Sequence, residues 1–204
     1  MTRIILVRHG QTAWNRRERF RGQADVPLDP TGLAQAEATA RAIAARWQPT
    51  AIYSSPLARA VHTAEAIAGR VGLAVRPHAG LLDINYGQWQ GLTPREVGER
   101  WPEEFRSWWR EPQRCRIPGG ESLAEVQARG FAALKELATR HEGQTVVAVA
   151  HTVMNRLILL AAMGLGLDRF WRLRQDTCAI NLIEAEGRDF TIALLNDTCH
   201  LLPR

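Results

Sequence analysis

The 204-residue sequence contains few cysteines, and their spacing suits neither a disulfide framework nor a zinc site. Cys115, Cys178 and Cys199 are odd in number and form no CxxC pair, which argues against a disulfide-rich secreted domain and against a zinc knuckle. An HExxH motif is also absent. We therefore expect a protein that uses neither a metal ion nor a cofactor.

Long apolar runs are missing too. No stretch is long enough to span a bilayer, and residues 1–4 lead directly into a predicted strand without the pattern of a signal peptide. We expect a cytoplasmic protein that makes no membrane contact. A length of 204 residues with 46% hydrophobic content is typical of a single domain, here residues 1–204.

Lysine is nearly absent, although the chain is basic. Lys135 is the only lysine among 26 basic residues, and the net charge is +5. Arginine is the better bidentate partner of phosphate, so the composition favours an anionic partner, although a GC-rich genome also produces such a bias. The arginines are spread along the chain and form no stripe, which argues against nucleic-acid binding.

Six apolar runs are typical of β-strands, and helical patterns separate the first four of them. Strands that alternate with helices predict a three-layer α/β/α sandwich around a mostly parallel sheet. The sequence Glu-Gly-Arg-Asp at 186–189 joins the last two runs as a hairpin, so we expect one antiparallel edge strand. The predicted strands are 4–7, 51–54, 73–76, 145–150, 179–185 and 190–195.

Capping signals mark where helices are predicted to begin. Asp29 and Ser55 are each followed by a proline, and each pair supplies an N-cap and a first helical residue. Thr93 and Ser122 each open an S/T-x-x-E capping box. The helices that begin near 29, 55 and 122 are expected to end near 47, 71 and 141, and a further helix spans about 152–163.

The stretch from about residue 87 to residue 120 is irregular and rich in tryptophan. We expect it to be an excursion from the sheet that caps the substrate site, and not a separate domain. Its tryptophans (Trp89, Trp101, Trp108 and Trp109) are interpreted as hydrophobic packing and not as a platform that stacks on substrate.

Residues that can carry chemistry follow four predicted strands, where each strand ends. Arg8 and His9 follow the first strand, Arg59 lies in the helix after the second, Asp83 follows the third and His151 the fourth. The carboxyl ends of strands in an α/β sheet open into the crevice where ligands bind, so we expect these five side chains at one edge. Two helices also point their N-termini and backbone donors at that edge.

Phosphoryl transfer is a reaction that needs such a set. It spreads negative charge over the equatorial oxygens, and catalysis is mostly electrostatic. Two guanidinium groups and a protonated His151 could stabilise this charge without a metal. His9 would attack phosphorus in line, and Asp83 would protonate the leaving oxygen and later activate water.

At this point the sequence resembles a known family. Five blocks in order resemble the histidine phosphatase superfamily, which includes the cofactor-dependent phosphoglycerate mutases, and the resemblance covers nearly the whole chain. The blocks are LVRHGQTAWN at 6–15, FRGQAD at 20–25 with LDPTG at 28–32, YSSPLARA at 53–60, LDINYGQWQG at 82–91 and AH at 150–151.

The resemblance implies a phosphoglycerate mutase-like fold and a phosphohistidine formed at His9. It implies that Arg8, Arg59 and His151 bind the phosphoryl group of a phosphorylated small molecule. It further implies a set of substrate-binding residues, which are Asn15 as a phosphate or nucleophile-orienting contact, Arg21, Gly22 and Gln23 in the second block, and Thr152 through its backbone.

One position departs from the family pattern. Most relatives of this branch carry glutamate where Asp83 stands, although other branches use an aspartate donor. The side chain of Asp83 reaches one methylene less far than that of glutamate. Glu121 is a second carboxylate candidate near the pocket, whereas Ser122 is explained by its capping box.

Three functions remain open from the sequence. A phosphomonoesterase lets water take the phosphoryl group from His9, whereas a phosphoglycerate mutase returns it to a second hydroxyl. Family mutases tend to be longer and to shield the phosphoenzyme, so a chain of this length favours the phosphatase. A non-catalytic phosphoryl-ligand binder or regulatory protein is the third alternative, which the complete catalytic set opposes. A homodimer is also open.

Overall fold

The computed structural model describes residues 1–202 and shows a mixed six-stranded sheet between layers of helices. The strands are β1 (Thr2–Arg8), β2 (Ala51–Ser54), β3 (Val75–Pro77), β4 (Thr145–Ala150), β5 (Ile180–Glu186) and β6 (Asp189–Asp197). They lie in the order β3-β2-β4-β1-β5-β6. β1, β2, β3 and β4 are mutually parallel, whereas β5 runs antiparallel to both β1 and β6. The predicted mostly parallel sheet with antiparallel pairing at one edge is confirmed.

Seven α-helices accompany the sheet in the described part of the chain. They are α1 (Ala13–Arg16), α2 (Pro30–Arg46), α3 (Ala58–Val71), α4 (Pro94–Arg100), α5 (Pro102–Arg110), α6 (Leu123–Arg140) and α7 (Thr152–Ala162). None of the helices within residues 1–202 combines the length and the hydropathy needed to cross a membrane.

Successive residues of the central strands divide the core into two halves. Ile4 and Leu6 of β1 pack with residues of α6 and α7, whereas Ile5 and Val7 pack with residues of α2 and α3. This alternation follows from the two-residue period of a strand, which sends neighbouring side chains to opposite faces. The apolar residues 4–7 of β1 are therefore buried on both faces, and the predicted α/β/α layering is confirmed.

Capping residues set most helix starts where the sequence predicts them. The Asp29 side chain accepts a hydrogen bond from the Gly32 backbone N–H at 2.8 Å, and Pro30 opens α2. Both predicted capping boxes form, at Thr93 for α4 and at Ser122 for α6. Such caps satisfy backbone donors that the first helical turn leaves unpaired.

Helix α3 begins later than the sequence predicts. It starts at Ala58, and its N-cap Leu57 makes no side-chain cap bond, so the prediction that Ser55 caps this helix is wrong. The Ser55 hydroxyl lies instead 2.7 Å from Nε2 of His151. The Ser55 hydroxyl also accepts the Leu57 backbone N–H at 3.4 Å, so it combines a long-range partner at the sheet edge with a local contact.

The tryptophan-rich segment 87–120 packs on the same core as α6 and α7. It contains a short 3₁₀ turn (Gly87–Trp89), α4, α5 and a second 3₁₀ turn (Pro112–Arg114). Trp89 and Trp108 are fully buried, as hydrophobic packing predicts, but 48% of Trp109 is exposed. Trp109 stacks on Trp171 with ring centroids 4.4 Å apart.

Candidate active site

The ends of β1 and β4 place two histidines side by side. Arg8 pairs with Ala150 in the parallel register, and the His9 N–H donates to the Ala150 carbonyl at 3.0 Å. The rings of His9 and His151, each one residue past its strand, have centroids 5.2 Å apart. Both side chains are buried.

The His9 ring is oriented by its own backbone neighbour. Nδ1 of His9 lies 2.6 Å from the Gly10 carbonyl oxygen, which can only accept, so Nδ1 carries the proton and Nε2 keeps its lone pair. Gly10 must be glycine here because a Cβ would lie 2.5 Å from the Gly32 carbonyl oxygen. Burial, with the charges of Arg59 and neighbouring groups, lowers the pKa of His9 well below its usual value. The imidazole is therefore neutral at pH 7, the form that can act as a nucleophile.

Three arginines leave hydrogen-bond donors free at this edge. Arg8 donates from Nη1 to the Gln175 carbonyl, and Arg59 donates to the carbonyls of Ala24 and Gly22. The Nε atoms of Arg8, Arg59 and Arg21 are buried without a partner in the described chain. Unpaired buried donors are costly, which indicates that an acceptor completes the site when ligand binds. The cationic guanidinium groups suit a phosphoryl group.

His151 contacts Ser55, which directly follows β2, and lies near the carboxyl group of Asp83. Its Nε2 is 2.7 Å from the Ser55 hydroxyl, and its Nδ1 is 3.9 Å from Oδ2 of Asp83. Burial and the charge of Arg59 lower the pKa of His151 well below its usual value. Burial and the surrounding cations therefore disfavour the expected imidazolium, although the Asp83 carboxyl lies close to Nδ1. A bound phosphate dianion would raise this pKa again.

Asp83 lies between a guanidinium and an imidazole. Oδ1 accepts the Ile84 backbone N–H at 3.0 Å, and Oδ2 lies 3.4 Å from Nη2 of Arg59. Burial raises the pKa of the Asp83 carboxyl above its usual value, although Arg59 and Arg21 oppose this shift. A raised pKa suits a carboxylic acid that has to donate a proton.

Glu121 contacts the loop of Asp83 through an arginine. Its two carboxylate oxygens accept hydrogen bonds at 3.0 Å from Nε and Nη2 of Arg129, and one also accepts the Asn85 N–H at 2.8 Å. Arg129 in turn donates to the carbonyls of Leu82 at 2.6 Å and Asp83 at 2.8 Å. The pair therefore holds the backbone on both sides of the Asp83 side chain.

We expect Arg129→Met to misplace the Asp83 carboxyl and to lower kcat by roughly 10- to 100-fold with little change in KM. Because Asp83 is placed to protonate a leaving group, kcat/KM, which reports formation of the phosphoenzyme, should fall more for alkyl phosphate esters than for p-nitrophenyl phosphate. Arg140→Met, an exposed position on the same helix, is the control. Equal losses of kcat/KM on both ester types would indicate a purely structural role.

The remaining predicted residues differ in what they contact. Asn15 accepts both the N–H and the hydroxyl of Thr12 at 2.9 Å, which caps α1. Gln23 donates to the Asp83 carbonyl at 3.2 Å, and the Gly22 carbonyl binds Arg59. Thr152 is the first residue of α7, and its buried hydroxyl has no partner within residues 1–202.

A cavity of about 340 Å³ opens beside these groups. Its wall includes residues 18–22, Asp83, Tyr86, the tryptophans of α5, the start of α7 and several residues between 170 and 176. Sequence reasoning missed this last segment and also Arg156. Arg156 lies four residues after Thr152, and this spacing on one helix face was the available signal.

The arrangement combines a neutral imidazole, free cationic donors and a carboxyl with a raised pKa. Together these groups can bind a tetrahedral dianion and exchange a proton with one of its oxygens. No cluster of three or more potential metal ligands from His, Cys, Asp and Glu occurs in the described part of the chain.

Comparisons with known proteins agree with this geometry. Phosphoserine phosphatase 1 of Hydrogenobacter thermophilus is 40% identical over 201 residues, which cover 98% of this chain and 95% of the relative. The metal-independent phosphoserine phosphatase of Arabidopsis thaliana is 37% identical over 210 residues, covering 98% and 84% of the two chains.

A solved structure and a family profile also match this chain. Phosphoserine phosphatase from Entamoeba histolytica, solved as a histidine-to-alanine mutant in complex with phosphoserine, superposes with a TM-score of 0.90 at 28% identity. The superposition covers 99% of this chain and 100% of that one, so the fold is phosphoglycerate mutase-like. The profile of the histidine phosphatase superfamily, branch 1, matches residues 4–198. The chain therefore belongs to the histidine phosphatase superfamily, branch 1.

Proposed function

We propose that the phosphomonoester hydrolase activity of this family is carried out here by His9 as the nucleophile and Asp83 as the acid and base. The observation that carries the proposal is the His9 ring itself. Its Nδ1–H is held by the Gly10 carbonyl, and the free Nε of Arg8, Arg21 and Arg59 lie at the same edge. A neutral imidazole among cationic donors suits attack on a phosphate ester.

The reaction is proposed to run in two displacements. In the first, the Nε2 lone pair of His9 forms a bond to phosphorus while the ester P–O bond breaks, and Asp83 gives its proton to the leaving oxygen. In the second, the Asp83 carboxylate takes a proton from water, whose oxygen attacks phosphorus as the P–N bond breaks. Inorganic phosphate leaves, and His9 and Asp83 return to their starting forms.

Arg8, Arg59 and His151 are proposed to bind the phosphoryl oxygens, with the N-terminus of α7 at Thr152 as a further donor. Helix N-termini bind anions because their backbone N–H groups are unpaired and carry partial positive charge. This donor set is cationic and repels a bound metal ion, which supports a metal-independent reaction like that named for the Arabidopsis relative. The same relatives support a small substrate of the phosphoserine type.

We expect the purified protein to hydrolyse p-nitrophenyl phosphate and phosphoserine at the same rate with and without excess EDTA. The measurement is release of p-nitrophenol and of inorganic phosphate. Complete loss of activity in EDTA, restored by a divalent metal, would contradict the metal-independent mechanism. Rapid conversion of 3-phosphoglycerate to 2-phosphoglycerate in the presence of 2,3-bisphosphoglycerate would instead identify a mutase.

Two sequence-based expectations stay predictions. One is the cytoplasmic location, which rests on the cysteine pattern. The other is the open alternative of a homodimer. Fractionation of the native host and light scattering of the purified protein would test them.

A further inference from the structure

Arg156 presents an unpaired guanidinium to the cavity. It lies on α7 one turn after Thr152, and its Cζ lies 5.2 Å from the ring centre of Phe170 and 5.0 Å from that of Trp171. Nε donates to the Leu173 carbonyl at 2.6 Å. Within residues 1–202, neither terminal nitrogen finds a protein acceptor or a carboxylate, and the side chain lines the cavity. The cation is held in place but forms no salt bridge with a described residue.

Arg156 lies beside the phosphoryl site but outside the group of residues that surrounds His9. Both Arg8 and Arg156 line the cavity, and the Arg156 charge contributes to a lowered pKa of Arg8. The charges that act most on His9 come instead from Arg59, His151, Arg8 and Arg21. Arg156 is therefore close to the phosphate-binding group and outside the set that surrounds the nucleophile.

The phenol of Tyr86 shares this part of the cavity. Its hydroxyl makes no hydrogen bond with the described residues, although the side chain is buried to 8% exposure and lines the cavity. The charges of Asp83, Arg21 and Arg156 all influence the Tyr86 pKa, which places the phenol near both the proton donor and Arg156. A free hydroxyl and a free guanidinium thus face the same space.

The nearby carboxylate of Asp176 acts to raise the pKa of Arg156 but forms no salt bridge with it. Asp176 also lines the cavity, but it accepts hydrogen bonds from Arg174 at 2.8 Å and from Asn196 at 2.9 Å. A half-buried cation without a partner is unfavourable unless a ligand supplies the negative charge. The phosphoryl group already has Arg8, Arg21 and Arg59, so Arg156 is available for a second anionic group.

We propose that Arg156, together with the Tyr86 hydroxyl, binds a carboxylate of the substrate. The preferred substrates are then phosphate esters of small hydroxy acids or hydroxy amino acids. The planar guanidinium fork matches a carboxylate, and the aromatic rings of Phe170 and Trp171 fix its plane. This inference rests on the proposed phosphatase function and assigns a carboxylate subsite to the same cavity.

A matched pair of substrates tests the proposal. Phosphoserine and phosphoethanolamine carry the same phosphate ester and amine and differ only in the carboxylate. We expect the wild-type protein to prefer phosphoserine, and Arg156→Met to lower the phosphoserine-to-phosphoethanolamine ratio of kcat/KM by roughly 10- to 100-fold, the effect of losing a charged hydrogen bond. The loss should lie mainly in KM.

Two further variants separate recognition from structure. Arg156→Lys keeps the charge and should retain part of the preference, whereas Arg172→Met, at an exposed position in the same segment, should leave the ratio unchanged. An equal loss on both substrates in Arg156→Met, or a wild type without preference, would overturn the carboxylate subsite while the phosphatase function stands. If the wild type hydrolyses neither ester nor p-nitrophenyl phosphate, the proposed function itself fails.

Discussion

Replacing His9 with alanine is expected to reduce turnover of every phosphate ester by roughly 10⁴-fold or more. The variant loses the atom that forms the bond to phosphorus, so neither half of the reaction can proceed by the covalent route. The arginine donors and the N-terminus of α7 remain. Binding of phosphoserine should therefore persist, and calorimetry should detect it in a protein that no longer turns it over.

Labelling identifies the intermediate directly. A ³²P-labelled ester should transfer label to the wild-type protein in a bond that acid breaks and base preserves, as expected of a phosphohistidine. His9→Ala should take up no label. His62→Ala, at an exposed position on α3, is the matched control and should label like the wild type. Label or substantial turnover in the His9→Ala variant would assign the nucleophile to another residue, with His151 the first to test.

The strand ends of this protein could be found from the sequence because each depends on local signals. An apolar run that stops at Arg8 or Ala150 marks where a strand ends, and parallel pairing brings such ends to one edge. The neighbouring positions of His9 and His151 follow from this register. Phosphoryl chemistry could then be inferred from the residue types alone.

Contacts between distant segments could not be predicted from local sequence patterns. Arg129 binds the carbonyl of Asp83 across 46 positions of sequence, and nothing in the local pattern of α6 marks it for that contact. Ser55 has a plausible local role as a cap, yet its hydroxyl is used by His151, 96 positions away. Local patterns record propensity, whereas such pairs depend on how the helices pack on the sheet.

Only part of the cavity wall could be predicted from the sequence. The sequence placed substrate capping in residues 87–120, where tryptophans cluster. The structure adds the segment from 170 to 176, whose Trp171 stacks on Trp109 and whose Gln175 carbonyl binds Arg8. This segment has no repeat and no motif, so only its packing against α5 and α7 reveals it.

Asp83→Asn is expected to slow turnover of phosphoserine by roughly 10²- to 10⁴-fold, the usual range for a general acid and base. The amide keeps the size of the side chain but cannot donate the proton that an alkoxide leaving group needs. Asp83→Glu keeps a carboxyl group, on the longer side chain that most members of the family carry at this position. This variant should retain more of the rate than Asp83→Asn. Near wild-type turnover by the asparagine variant would move the acid role to another group.

The pH dependence follows from the two shifted groups. His9 has to be neutral, and its lowered pKa places the rising limb of the rate well below the usual histidine range. Asp83 has to be protonated, so the rate for esters with poor leaving groups should fall as pH rises through its raised pKa. Asp83→Asn should abolish this falling limb and leave the rising limb in place.

The choice of leaving group distinguishes the role of Asp83 as an acid in the first displacement from its role as a base in the second. p-Nitrophenolate leaves without a proton, so the first displacement in Asp83→Asn should stay fast with p-nitrophenyl phosphate, whereas water attack on the phosphohistidine still lacks its base. We therefore expect a burst of p-nitrophenol equal to the enzyme concentration, followed by a slow steady state, in stopped-flow measurements. The wild-type protein, whose carboxylate activates water, should show a smaller burst or none. A linear trace from the variant at a reduced rate would mean that Asp83 acts mainly before the phosphoenzyme forms, and water activation would then belong to another group at this edge.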